Sequence, residues 1–200
     1  MDFPNQPCTM FDMDASELSR PLFEEPDESL ERPDGWSEPK GFLVGGMALP
    51  TRSELAQQYY DAGSVLVEAI HCHRWEDYRL VNPVLFLYRH ALELLLKDIL
   101  DDHGKEHDLG RLTERLELLV SERYGQCLPS WITQRLTELA AIDPSSTAFR
   151  YAETYNKASK ESLPVAGEVH VNLHHLGLVM EALRSALVRL LSENESRTQG

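Results

Sequence analysis

The chain has 200 residues, 42% of them hydrophobic and 26% charged, with a formal net charge of -14. That length and apolar content suffice for one globular core, while so acidic a balance argues against a broad nucleic-acid surface, which relies on clustered Lys and Arg. Three scattered cysteines, Cys8, Cys72 and Cys127, lack a C-x-x-C spacing, so neither a disulfide framework nor a zinc site is indicated and a reducing, cytoplasmic setting is expected. No run approaches 18 uninterrupted apolar residues and the opening "MDFPNQPCTM" is unlike a signal peptide, so no membrane association is expected.

Residues 1–50 carry eleven acids against three bases and seven of the eleven prolines, which leaves no room for an uninterrupted helix of ordinary length. They are expected to form an acidic, disordered or loosely docked tail. Within it Phe11, Leu18, Leu22 and Phe23 are interspersed with acids, a composition suited to docking into a partner's groove. A flexible apolar hinge, "GFLVGGMALP", follows at 41–50.

From Thr51 the pattern becomes helical. Thr51 and Glu54 make a capping box, and Leu55, Tyr59, Ala62, Leu66 and Ala69 recur at spacings of three and four, predicting a helix over about 52–76. Pro83 suits the first turn of a second helix that runs to about Asp102 and is broken by Gly104. Leu109, Leu112, Leu116 and Leu119 mark a third helix; Trp131, Ile132, Leu136 and Leu139 mark a fourth. A long connection over 143–172, with room for a short strand pair, is a candidate functional loop. Leu173, Leu176, Met180, Leu183, Leu187 and Leu190 give the last helix, capped by Asn172, with a disordered end over 194–200. The expected fold is an all-α, five-helix bundle over 51–193.

The second helix raises the functional question. In "LFLYRHALELLLKDIL" (85–100), Arg89, His90, Glu93 and Lys97 fall within an arc of roughly 100°, closed by Phe86 and Leu100 at its ends. An Arg–Glu pair four apart contributes only about 0.2–0.5 kcal/mol on an isolated helix, so partners from other segments are required. His107, Asp108, Asp143, Arg150 and Tyr151 are the candidates, making either a satisfied ionic junction or a pocket for a ligand or phosphate.

Taken together, "RHALELLLK" (89–97), "HDLGRL" (107–112), "DPSSTAFRYAE" (143–153) and "VNLHHLGLVMEAL" (171–183) resemble prokaryotic members of the HEPN superfamily over 51–193. The resemblance implies a four- or five-helix bundle, frequently homodimeric, of the kind found in toxin–antitoxin, antiviral and RNA-processing systems, where many members are metal-independent endoribonucleases. Their activity depends on an Arg and a His with roughly four to six residues between them, the His assisting attack by the 2′-hydroxyl and the Arg holding the phosphate. That spacing is missing: Arg89 adjoins His90, and Arg79 and Arg150 stand 11 and 20 residues before their next His. The first expectation is therefore a non-catalytic binding or regulatory protein. The alternative is an atypical endoribonuclease with His90 or His107 as base and Arg89 or Arg150 on the phosphate; a further alternative is a purely structural bundle.

Metal is not expected, nor is any other cofactor. His71 and His73 point to different faces of a helix, and the pairs His103/His107 and His170/His174 supply too few ligands. In "FRYAETYNK" (149–157) aromatic and basic residues alternate in a small stacking-plus-charge pattern that would suit RNA or a nucleotide, while Arg150 could equally pair with Glu93.

Overall fold

The computed structural model describes residues 49–144, 146–151, 165 and 167–198, the backbone at 155–156 and 161–162, and the isolated Phe23. The chain divides into a unit of Met1–Leu49 and a unit of Pro50–Gly200, and the bundle belongs to the second. Phe23 is exposed; the other three apolar residues singled out in the acidic segment, Phe11, Leu18 and Leu22, lie outside the described residues.

Five helices are present among the described residues: α1 (Arg52–His71), α2 (Asp77–Ile99), α3 (Leu109–Tyr124), α4 (Ser130–Ile142) and α5 (Leu173–Thr198). The fold is all-α, relieved by a minimal antiparallel pair, β1 (Tyr155–Asn156) and β2 (Glu161–Ser162), with Tyr155 opposite Ser162. The helix starts follow the capping chemistry. Thr51 accepts from the Glu54 amide while the Glu54 carboxylate accepts from the Thr51 amide at 2.7 Å, closing the capping box of α1. Asp108 accepts from the amides of Gly110 and Arg111 at the head of α3, and Asn172 accepts from that of His175 at the head of α5.

Three boundaries differ from the sequence expectation. Helix α1 stops at His71, five residues early, where His73 adopts a left-handed φ of 54° and turns the chain toward α2. Helix α2 begins at Asp77, so Pro83 sits inside it and leaves the Arg79 carbonyl without its helical donor. Helix α5 continues to Thr198 because the segment past 193 still has something to bury: Asn194 is enclosed, with the Tyr124 hydroxyl donating to its Oδ1 at 2.5 Å.

Helix α2 is the centre of the bundle, packing on α1, α3 and α5, while α4 reaches the rest through α3. Leu92, Leu95 and Leu96 of α2 meet Leu112 and Leu116 of α3, Leu136 of α4, and Leu183 and Leu187 of α5 in one apolar core. Full burial of each such leucine contributes roughly 1.5–3 kcal/mol. Gly63 lets α1 press on α2: a Cβ there would stand 3.0 Å from the Tyr88 ring. Surrounded on so many sides, α2 has no fully solvated face midway along its length, and its charged residues must be answered by protein.

Candidate functional site: a buried charge junction

Arg89, Glu93 and Lys97 occupy successive turns of one α2 face, and none reaches bulk water: Arg89 is 0% exposed, Glu93 1% and Lys97 7%. The Arg89 guanidinium is engaged at each of its three nitrogens. Nη1 donates to Glu93 Oε2 at 2.8 Å, Nη2 to the His107 carbonyl at 2.6 Å, and Nε to the Asp143 carbonyl at 3.1 Å. Glu93 spends its second oxygen twice, accepting from Lys97 Nζ at 3.0 Å and from His107 Nδ1 at 2.8 Å.

Asp143, just past the end of α4, supplies the second buried carboxylate. Its Oδ1 accepts from the amides of Thr147 at 2.7 Å and Ala148 at 3.0 Å, folding the loop after α4 back on itself. Its Oδ2 makes no hydrogen bond and lies 3.2 Å from Arg89 Nε, an electrostatic contact off the donor direction. Two cations and two anions thus balance inside the bundle, and hydrogen bonding answers the desolvation of each. Donation by His107, Arg89 and Lys97 outweighs burial and holds the Glu93 carboxyl below its usual range.

His107 is the member of this junction that meets solvent, its side chain 55% exposed. A carboxylate only accepts, so Nδ1 carries the proton toward Glu93, and in the neutral ring Nε2 is left as an exposed acceptor. That is the arrangement of a base oriented by a buried acid.

The remaining candidates lie elsewhere. Asp108 is not part of the junction, because its carboxylate is consumed in capping α3. Arg150 does not pair with Glu93; its Nε donates to the Ser146 carbonyl, and its guanidinium lies over the rings of Phe86 at 5.7 Å and Tyr151 at 5.6 Å. Tyr151 is exposed, its ring beneath the Arg150 guanidinium and its amide donating to the Thr147 carbonyl at 3.2 Å. His90 turns away from Arg89 and Glu93 into an aromatic setting, with Phe86 stacked at 5.7 Å and Tyr59 edge-on at 4.6 Å. Burial, with the nearby charges of Arg89, Arg150 and Lys97, lowers the His90 pKa. Arg89, wholly enclosed, offers nothing to a phosphate at the surface.

Sequence reasoning missed the supporting cast. Arg52 reaches across from α1 to the Lys97 carbonyl at 2.9 Å and to His103 Nδ1 at 2.9 Å. Tyr59 was visible only as part of the α1 stripe, and nothing in its spacing points to His90. No group of three or more His, Cys, Asp or Glu side chains able to hold a metal ion occurs among the described residues. Likewise, no helix among them is long and apolar enough to cross a membrane.

Set against protein-family models, curated proteins and solved structures, the chain matches none of them significantly.

Proposed function

We propose that the chain is a non-catalytic binding or regulatory bundle of the HEPN kind, serving a toxin–antitoxin, antiviral or RNA-processing system. It acts as a homodimer and engages a protein partner through the acidic segment around Phe11, Leu18, Leu22 and Phe23. The observation that carries the reading is the enclosure of Arg89: the arginine that would hold a phosphate is spent on Glu93, Asp143 and His107. The missing Arg–His spacing points the same way. A cytoplasmic location accompanies this reading.

One observation favours a second reading, metal-independent RNA cleavage. The His107–Glu93 pair has the form of an oriented base, and Arg150 with Tyr151 offers surface charge and a ring to RNA or a nucleotide. Labelled RNA incubated with the purified protein in EDTA separates the two. The first reading expects no cleavage above background; cleavage that disappears in both His107→Ala and Arg150→Ala overturns it. For the partner, deletion of residues 1–45 is expected to leave the melting transition in place and remove any co-purifying protein, whereas co-purification that survives the deletion rejects the role given to that segment.

A further inference from the structure

Helices α1 and α5 are clasped at one level and line a common cleft at another. At the clasp, Tyr60 donates to Glu181 Oε2 at 2.7 Å, and Arg184 donates to Glu181 Oε1 at 2.8 Å and to Gln57 at 3.1 Å, its guanidinium 5.0 Å from the centre of the Tyr60 ring. Toward the end of α1 a cleft of about 310 Å³, a volume at the small end of those that hold small molecules, is lined by both helices, including His71 and His174, whose rings lie 6.0 Å apart. Its floor is the buried Tyr88, whose hydroxyl lies 3.2 Å from Ser64 Oγ, and its walls include Val67, Leu178 and Gly177.

Two features of this cleft are unexplained by the packing of the bundle. Gly177 sits inside α5, where glycine costs about 1 kcal/mol relative to alanine, yet a Cβ there would meet no described atom within 4 Å. The bundle does not require the missing side chain. The second feature is Glu68, which lines the cleft, accepts from the Cys72 thiol through Oε1 at 3.0 Å, and has no cationic partner among the described residues. It stands in the last turn of α1, where the helix dipole adds to its preference for positive charge.

We propose that this cleft binds a small organic amine, its ammonium group paired with Glu68 and its apolar body laid against the exposed Leu178. A carboxylate with no cationic partner among the described residues favours a cation, and the acidic chain attracts one. The site stands apart from the Arg89–Glu93 junction and does not rest on the HEPN reading.

Benzylamine is the probe, with benzyl alcohol and benzoate as its neutral and anionic counterparts, each titrated into isotopically labelled full-length protein. Saturable shifts of the Ser64 and Gly177 amides are expected with benzylamine alone. Glu68→Gln, a change at an exposed position, should weaken binding at least about tenfold, the usual worth of a charge-assisted contact. Gly177→Leu should abolish it by filling the cleft. Absence of saturable binding, equal binding of benzyl alcohol or benzoate, or an unchanged affinity in Glu68→Gln each overturns the proposal.

Discussion

Arg89 Nη1 lies 2.8 Å from Glu93 Oε2, one turn further along α2, and both side chains are shut away from water. The pair exists because both residues are held by other segments as well, so removing either leaves a buried charge without its counterpart. Glu93→Ala is expected to lower stability by about 3–5 kcal/mol in urea unfolding. A loss under about 1 kcal/mol, the range of solvated pairs, would mean that the junction admits water.

Acid should loosen the same junction. Glu93 has a folded pKa below its ordinary value, so its contribution is complete above the unfolded value of 4.5 and is lost as pH falls through the folded one. The wild-type protein is therefore expected to lose more stability than Glu93→Gln between pH 5 and pH 3, on the order of an ordinary carboxylate titration range. Parallel losses in the two proteins would remove Glu93 from the acid response.

Glu181 offers a surface test of the same physics. Donation from Arg184 first and Tyr60 second brings its pKa from 4.5 to about 2. Its contribution is present above 4.5 and fades as pH falls through about 2. Carbon-detected NMR titration of Arg184→Ala should show the Glu181 transition moving up toward the usual carboxylate range.

The His90 pKa is lowered too, by burial first, and Arg150 is one of the charges that add to the shift. Replacing Arg150 with Ala removes a repelling cation, so the His90 ring should protonate at higher pH than in the wild type, as read from its imidazole resonances. An unmoved transition would place the Arg150 guanidinium away from His90 in solution.

Gly63 and Gly177 should respond in opposite directions to the same substitution. Gly63→Ala drives a methyl to 3.0 Å from the Tyr88 ring and is expected to cost about 1–3 kcal/mol. Gly177→Ala meets no described atom within 4 Å and should gain about 0.5–1 kcal/mol from helix propensity. Thermal unfolding of the two variants checks the contrast.

The helices were legible because apolar periodicity and caps are local: Thr51, Asn172 and the leucine stripes are sufficient to place four of the five starts within a few residues. Pro83 misled because proline suits a first turn, whereas here it lies inside the helix, and residues 77–82 ahead of it are mostly exposed and carry no apolar stripe that would reveal the earlier start. The charged stripe of α2 announced a shared junction, since four ionisable groups on a core helix demand partners, and Asp143 and His107 were among the nearest candidates in the connections. What could not be read was the division of labour. His107 contributes a carbonyl as well as a ring, and a carbonyl has no signature in sequence. Asp108 and Arg150 carry the same charges as their neighbours, and only distance separates capping and ring contacts from membership of the junction.

Arg89 binds carbonyls from two chain connections that are far apart in sequence, the approach to α3 and the exit from α4. Neither connection can lift from α2 without stripping a donor from a guanidinium that water does not reach. The two should consequently open as one cooperative event, so that amides at the head of α3 and those of Thr147 and Ala148 exchange with solvent at a common free energy.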